Sequence, residues 1–593
     1  MLSLGTVVTA AQDYPPLAPF VRSPFIFTRA LITWAAARGA DAAAAETKTP
    51  VGEQVNTTAK RLIRTLVRAL PAAALSLLIP LAFGQARTAP SDAPRFAIKR
   101  FVLEGNTLLK PEAVERIVAP YAGEQKDFSN IQHALESVEQ AYRDIGYGMV
   151  QVTLPEQDIT QGEIRFKVNE VRVGKVRVEG NAHFDETNIR RSLPALREGV
   201  PPNSRQMEAS LAVANENPAK QTTVLLRSAQ TEDEVDAIVK VVDDKFWKVG
   251  ASIDNTGNAS TGVYRLGTSF QHANLFNRDH SLTAQFITSP GHYGDVKIYG
   301  VGYHIPLYSL GSSIDIVGGY SNVNSGTVQN LFTVSGAGTI LGLRYNQNLT
   351  QIGDYEHKLV YGFDYRAYQN PVQETSTQLG LVPDITVHPV SVYYAGAWRL
   401  PESELSFYAY VAQNVFPNGN DASDSDFKAP GQRAEAKASY RLYRYFAHYT
   451  RAFASDWQMR LTFNAQDTRD ALVAGEQFGL GGADNVRGFF EREISNDRGY
   501  RFNAEIYTPD VGGKLGGGVR ARLLAFVDSG TVARNRLLPG ESSGQSIASA
   551  GLGVRLAQGT NLSLRADFAT VLDPGGTQNR WDQKLHFLLS YVY

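Results

Sequence analysis

The sequence predicts a mixed fold in which two small α+β domains precede a transmembrane antiparallel β-barrel. Three observations support this prediction. The tripeptide Glu-Gly-Asn occurs at 104–106 and again at 179–181, inside two stretches with the same order of predicted elements. From Phe246 onward, apolar and polar residues alternate with the period of two that is typical of β-strands. The chain finally ends in an aromatic-rich strand, KLHFLLSYVY.

The composition excludes several classes of protein. Lys and Arg number 58 against 59 Asp and Glu, so the net charge of −1 gives no support to a nucleic-acid binder, which needs a basic surface. The absence of Cys excludes disulfides, thiolate metal sites and a Cys nucleophile. A mean hydropathy of −0.23 argues against a bundle of transmembrane helices. A chain with 27 Tyr, 28 Phe and 52 Gly instead fits a β-barrel of the Gram-negative outer membrane.

The N-terminal region contains the pattern of an export signal. Residues 60–68, KRLIRTLVR, are rich in basic side chains, 69–83 are apolar, and small residues precede a cleavage site after Ala86. This order predicts a signal peptide at 60–86, and the alternative is a buried amphipathic helix. Residues 1–59 are Ala-rich and have no sustained period. We interpret them as unstructured, or as the result of a start codon assigned too early.

After a linker at 87–95, the two repeats predict two domains at 96–171 and 172–245. In each repeat a first strand ends at Glu-Gly-Asn, whose glycine tolerates a turn with positive φ. Two helices and two strands follow, so the order of elements is β-α-α-β-β, enough for a small two-layer domain. The predicted elements are helices 111–119 and 130–145 with strands 149–155 and 163–171, and then helices 186–193 and 205–215 with strands 222–229 and 234–242.

The repeats resemble POTRA domains, in the version found in two-partner secretion transporters of the haemolysin-activator, ShlB/FhaC type. The first repeat carries the motifs L-E-G-N-T at 103–107, A-Y-R-D-I-G-Y at 141–147 and L-P-E-Q-D-I-T-Q-G-E-I at 154–164. The second carries N-E-N-P at 215–218. The resemblance implies periplasmic POTRA domains followed by a monomeric barrel of about 16 strands at 246–593 in the cell outer membrane.

Within the barrel segment, two stretches show the alternation clearly. YRFNAEIY at 500–507 and VRARLLAFVD at 519–528 each place an apolar face opposite a more polar one. A soluble β-sandwich would alternate in the same way, but aromatic residues near the strand ends favour a membrane barrel. The last strand resembles the signal by which outer-membrane barrels are recognised for assembly, although the usual last residue is Phe. The residues of that signal here are Phe587, Tyr591 and the terminal Tyr593.

The most informative motif lies in the glycine-rich stretch GLGGADNVRGFFE at 479–491. In the family that the chain resembles, this stretch is a surface loop that folds back into the barrel lumen. The resemblance assigns the loop anchor to a V-R-G-F tetrad, which is Val486, Arg487, Gly488 and Phe489. It assigns the partner on the barrel wall to an F-x-D-x-G element, which supplies Phe526, Asp528 and Gly530.

Strand parity supports this pairing independently. Asp528 shares a face with Arg520 and Arg522, so it should point away from lipid, where a charge is costly. A pair between Arg487 and Asp528 could be bidentate and charge-assisted. Because the lumen is wet, we expect this pair to be only partly desolvated. The alternative is that Arg487 is a solvated loop residue and that Asp528 pairs with Arg522. Glu505 is a possible additional lumen charge.

No motif predicts catalysis, because the sequence lacks H-E-x-x-H, G-x-S-x-G and P-loop patterns. We therefore expect no enzyme activity, cofactor or metal. The resemblance implies a transporter that recognises an unfolded exoprotein by its N-terminal secretion domain and passes it through the lumen without ATP. Other implied partners are outer-membrane lipid and, during biogenesis, the barrel assembly machinery. The alternatives are a barrel assembly factor (insertase) of the same superfamily, a passive porin or an outer-membrane enzyme.

Overall fold

The computed structural model describes residues 94–593 apart from 232, 324–325, 329–331, 335–336, 370–383, 431 and 515. The predictions for residues 1–59 and for the signal peptide at 60–86, with most of the linker at 87–95, lie outside the described residues. Of the helices in the described part of the chain, none is both long and apolar enough to cross a bilayer.

The first domain is a three-stranded sheet packed against two helices. The sheet order is β2-β5-β4, with β2 parallel to β5, and a separate β1–β3 ladder lies outside the predicted pattern. The second helix begins after Asp127, whose carboxylate accepts from the amides of Ser129 and Asn130. The elements are β1 Phe96–Ile98, β2 Arg100–Glu104, α1 Pro111–Val118, β3 Gly123–Lys126, α2 Phe128–Asp144, β4 Gln151–Thr153 and β5 Glu163–Asn169.

The second domain repeats this arrangement. Its sheet order is β6-β8-β7, with β6 parallel to β8 and β7 at an edge. Val173, Phe184, Ile189, Val239 and Val241 are among the buried residues of its core. The elements are β6 Arg172–Glu179, α3 Glu186–Ser192, α4 Ser204–Ala214, β7 Lys220–Ser228 and β8 Glu234–Asp243.

The repeated Glu-Gly-Asn has the same structural cause in both domains. Gly105 and Gly180 have φ of +89° and +85°, a region that disfavours residues with a Cβ. A Cβ on Gly105 would lie 2.5 Å from the carbonyl oxygen of Val168, and one on Gly180 would lie 2.5 Å from that of Val241. The glycine therefore allows the chain to turn at the end of the first strand in close contact with the paired neighbouring strand, which explains why the motif recurs.

The C-terminal region is a closed antiparallel β-barrel. Its wall has sixteen strands, because β18 and β19 both pair with β17 and are interrupted only at His388. The predicted fold class is thus confirmed. The strands are β9 Trp247–Asp254, β10 Arg265–Leu275, β11 His280–Thr288, β12 Ile298–Leu307, β13 Ser312–Ser321, β14 Gly326–Val328, β15 Phe332–Val334, β16 Ala337–Asn348, β17 Tyr355–Gln369, β18 Ile385–Val387, β19 Pro389–Leu400, β20 Ser403–Asn414, β21 Arg441–Ala452, β22 Gln458–Asp467, β23 Phe478–Leu480, β24 Ile494–Asn496, β25 Arg498–Tyr507, β26 Val519–Ala533, β27 Gly544–Gln558, β28 Leu562–Asp573 and β29 Gln583–Val592. A four-residue helix, α5 Asp424–Phe427, lies in one connection. The pairs β14–β15 and β23–β24 are separate two-stranded sheets that are not part of the wall.

The two faces of the wall differ as the alternation predicts. On β26, Leu523 and Val527 are exposed on the outer face, whereas Phe526 and Asp528 are buried on the inner face. Connections at the end that carries the second domain are mostly short, such as 401–402, and those at the far end reach the length of 468–497. This asymmetry leaves long segments available to fill the far half of the lumen.

The second domain is joined to the barrel by a buried polar network. The Lys220 ammonium on β7 lies 2.6 Å from the carboxylate of Asp279 in the β10–β11 turn, and both side chains are 2% exposed or less. Asn188 on α3 and Tyr308 in the β12–β13 turn also donate to Asp279. Burial lowers the pKa of Lys220, and the carboxylate of Asp279 opposes that shift. The network therefore fixes β7 relative to the mouth of the barrel.

Replacing Lys220 with Met should loosen this junction, because Asp279 becomes a buried carboxylate without its cation. We expect the free energy of unfolding of the second domain to fall by about 3–5 kcal/mol, measured by thermal melting and by protease cleavage within 172–245. The double variant Lys220→Met, Asp279→Asn should recover much of the loss, since no unpaired charge remains. Equal losses in the single and double variants would contradict this account of the junction.

Candidate functional site

The connection at 468–497 turns back into the interior of the barrel. Its two arms pair as the β23–β24 hairpin, and its tip is the V-R-G-F tetrad at 486–489. The side chains of Val486 and Phe489 are completely buried. They pack in an apolar cluster made by both loop and wall, with Leu480, Ile494, Val532, Ile547 and Val571. The tip is therefore seated against the inner wall.

Arg487 lies at the centre of a buried cluster of charges. Its Nε and Nη2 donate to the two carboxylate oxygens of Asp528 over 2.7 and 2.8 Å, a bidentate pair, and its backbone amide donates to the same carboxylate over 3.1 Å. Its Nη1 lies 2.8 Å from Glu505 and 3.6 Å from Asp567. Its guanidinium stacks over the ring of Phe526 at 3.5 Å from the centroid. Carboxylates from β25, β26 and β28 thus converge on one cation.

The other residues of the two motifs have equally specific surroundings. Gly488 has φ of +94°, so the turn at the tip favours glycine. A Cβ on Gly530 would lie 2.8 Å from the Leu480 side chain, so glycine here leaves space for the loop. One face of β26 therefore provides the ring of Phe526, the carboxylate of Asp528 and, at Gly530, space for the loop.

Two family models match the chain. The one described as haemolysin secretion/activation protein ShlB/FhaC/HecB matches residues 233–556, more than half of the chain. The chain belongs to this family. The model described as POTRA domain, ShlB-type, matches residues 96–170, the first domain of this two-partner secretion transporter. The barrel of the transporter accordingly lies in the outer membrane and its POTRA domains lie in the periplasm.

Several known proteins are similar to the transporter. The outer membrane transporter CdiB of Escherichia coli O6:K15:H31 (strain 536 / UPEC) is 24% identical over 434 residues, covering 71% of this chain and 70% of the relative. The heme/hemopexin transporter protein HuxB of Haemophilus influenzae is 19% identical over 404 residues, covering 67% and 69%. The solved structure of CdiB from Escherichia coli has a TM-score of 0.65 at 19% identity, covering 90% of this chain and 96% of that chain. The similarity to this solved structure extends the shared fold across both POTRA domains and the barrel.

The geometry around Arg487 excludes one alternative that the sequence left open and contradicts one expectation. Arg522 pairs with Asp456 at a periplasmic turn, with Nη2 and Oδ1 2.8 Å apart, so it is not the partner of Asp528. The expectation of a partly desolvated pair is wrong, because the side chains of Arg487 and Asp528 are 5% and 0% exposed. The loop itself excludes water from the pair. Glu505 lies within the same cluster.

Sequence reasoning missed a second attachment of the loop, on another part of the wall. Glu476, near the start of the loop, is buried and accepts from Arg366 Nη1 over 2.7 Å and from the Tyr368 hydroxyl over 2.6 Å, both on β17. At the other end of the loop, the buried carboxylate of Asp497 accepts hydrogen bonds from both Nη atoms of Arg433, over 3.1 and 3.0 Å. No motif marks Glu476, so only the lumen parity of Arg366 could have suggested this buried partner.

The described residues contain no group of three or more His, Cys, Asp or Glu side chains arranged to bind a metal ion. The carboxylates around Arg487 are instead neutralised by guanidinium groups, since Asp567 also pairs with Arg555 over 2.8 Å. The site can therefore fix the position of the loop, and the chemistry it offers is charge pairing.

Replacing Arg487 with Ala should weaken the loop's attachment strongly, because three carboxylates, of which Asp528 and Asp567 are buried, lose a shared cation. We expect a loss of about 3–5 kcal/mol, measured as the thermal stability of the purified transporter and as cleavage of 468–497 by external protease. Arg487→Lys is the matched control, and it should lose less, since it keeps the charge but not the fork. The double variant Arg487→Ala, Asp528→Ala should be little worse than either single one. Losses that add in full would show that the two residues act separately.

Proposed function

We propose that this transporter recognises an unfolded exoprotein in the periplasm through its POTRA domains and secretes it through the barrel lumen without ATP. In this proposal residues 96–171 and 172–245 are the POTRA domains and 246–593 are the barrel. The observation that carries the proposal is an open sheet edge in the second domain, next to the mouth of the barrel. An unfolded chain can add to such an edge as a further strand.

The open edge is the outer side of β7. Thr222 exchanges two hydrogen bonds with the side chain of Asn215, over 2.7 and 3.0 Å, so its peptide groups point away from β8. In an antiparallel ladder every second residue points the same way, which places the peptide groups of Val224, Leu226 and Ser228 on that side. Nothing in the described part of the chain pairs with them. They supply three successive sites for main-chain hydrogen bonds with little demand on the client's sequence.

The first domain has a shorter version of the same edge. There the edge strand β4 has three residues against nine in β7, and the amide of Val152 donates to the Glu139 side chain on α2 over 3.4 Å. The second domain therefore offers the longer surface for strand addition. Because Lys220, the first residue of β7, is buried at the junction with the barrel, a strand added along β7 would have one end near the lumen.

In the lumen, we infer that the seated loop shapes the path of the client. Val486, Arg487, Gly488 and Phe489 would act as its anchor, with Phe526, Asp528 and Gly530 as the partner and Glu505 as an additional charge. The buried contacts of Arg487 support this role. Movement without ATP is physically reasonable if the client folds at the cell surface and cannot slide back.

Further parts of the proposal follow from the family and the last strand. The client would be an exoprotein with an N-terminal secretion domain, and the transporter would work as a monomer in outer-membrane lipid. Tyr591 in β29 and Tyr593 directly after it are exposed, and Phe587 lies on the same outer face as Tyr591. The barrel assembly machinery would recognise these three residues during biogenesis.

Replacing Leu226 with Pro should reduce secretion while leaving the barrel inserted. Proline is tolerated on an edge strand where its missing N–H points outward, but it removes that donor and obstructs an added strand. The loss of about two client hydrogen bonds should weaken client binding roughly tenfold. The measurement is the amount of exoprotein in the medium, with barrel insertion checked by heat-modifiable migration on gels.

Leu226→Ala is the matched control, because it shortens the same side chain but keeps the amide. It should secrete close to normally. If the Pro and Ala variants secrete equally well, β7 is not the edge that receives the client. If both fail equally, the side chain at 226 matters and the free amide does not.

A further inference from the structure

His586 on the last strand lies at the loop tip and has a contact that the Arg487 cluster does not explain. The amide of Gly488 donates to His586 Nε2 over 2.9 Å, and the imidazole is 3% exposed. Because Nε2 accepts, the ring is neutral and its proton is on Nδ1, which has no hydrogen-bond partner among the described residues. A buried acceptor aimed at a main-chain amide of the tip is a specific attachment point for the loop.

The same strand is incompletely paired where the barrel closes. β29 pairs with β28 over residues 562–570 of the latter, but on its other side the chain pairs with β9 only from Leu588 onward, up to Tyr593, which exchanges two main-chain hydrogen bonds with Val249. Farther toward the cell surface, the side chain of Asn255 takes the place of β9, with Nδ2 2.6 Å from the Leu585 carbonyl and Oδ1 2.9 Å from the Phe587 amide. We call the stretch 583–587 the open seam, since its backbone has no strand partner on that side.

His586 is the residue of the open seam whose side chain is buried on the lumen side. It stands opposite Asp567 on β28, and Asp567 is the third carboxylate near Arg487. The tip is therefore attached to β26 through Asp528 and to β29 through His586. Gly488 permits the second contact because its positive φ turns the chain and it carries no side chain between its amide and the wall.

We propose that His586 is a positioning residue that attaches the loop tip to the last strand, so that the seated tip and the open seam stabilise each other. The proposal rests on the loop-anchor part of the proposed function and adds a chemically different attachment at the tip itself. Loss of the contact frees the Gly488 amide and removes one of the few groups that restrain 583–587 from the lumen side. Displacement of the tip then loosens the closing strand as well.

Three variants of His586 separate the hydrogen bond from the packing. His586→Gln retains an acceptor at the ε position, His586→Asn moves the acceptor to the δ position, and His586→Leu removes it. The measurement is hydrogen exchange of the full transporter in lipid nanodiscs, read in peptides that cover 483–490 and 583–587. We expect roughly tenfold faster exchange in both peptides for Leu and Asn, because a buried amide has lost its only acceptor. Gln should stay within about twofold of the unsubstituted protein.

Each outcome decides the proposal. Equal exchange in the Gln and Leu variants, or faster exchange at the tip without a change at 583–587, would overturn it. If the Leu variant does not insert, the comparison of Gln with Asn carries the same decision. Exchange needs no client, so it is separate from secretion. Normal secretion by Arg487→Ala would remove the proposed role of the loop and would leave this structural coupling standing.

Discussion

The arrangement inside the barrel depends on one buried arginine. Arg487 brings together Asp528, Glu505 and Asp567, which lie on three different strands of the wall. Without a shared cation, these carboxylates would repel each other in a site from which water is excluded. With Arg487 in place, its positive charge offsets the negative charge of the wall carboxylates. These carboxylates in turn hold Arg487, and with it the loop, against the wall. The apolar contacts of Val486 and Phe489 then complete a seat that excludes water from the ion pairs.

A second buried cluster sets the position of the periplasmic part. Lys220 and Asp279 fix the start of β7 at the mouth of the barrel, and the open edge begins a few residues farther along the same strand. One cluster therefore lies where the second domain meets the barrel, and the other lies on the inner wall at the loop tip. In both, a single cation is surrounded by groups from several elements, so the position of each element depends on its neighbours.

Much of this could be predicted from sequence where a local rule applies. Glycines 105 and 180 recur because the same close turn against the neighbouring strand occurs in each POTRA domain. The parity of β26 placed Asp528 in the lumen, and the V-R-G-F tetrad suggested its partner. Burial of that pair was not predictable, because water is excluded by the loop, and the path of the loop depends on the closed barrel.

The remaining contacts have no local signature. Glu476, Asp567 and His586 are ordinary residues in sequence terms, and each acquires its role only from strands that are distant in the chain. The same applies to the open seam, because the extent of pairing between β9 and β29 depends on where the first strand leaves the wall. Long-range closure of the barrel determines these features, and a periodic pattern within one strand carries no information about it.

The central claim is that the Arg487 cluster determines where the loop lies. Because the chain contains no Cys, the variants Phe490→Cys and Thr560→Cys allow two spin labels, one beside the loop tip and one at a periplasmic turn. Their distance distribution, measured by double electron–electron resonance in nanodiscs, reports the position of the tip directly. The account predicts one narrow distribution that becomes broad when Arg487 is replaced by Ala. An unchanged narrow distribution in that variant would contradict it.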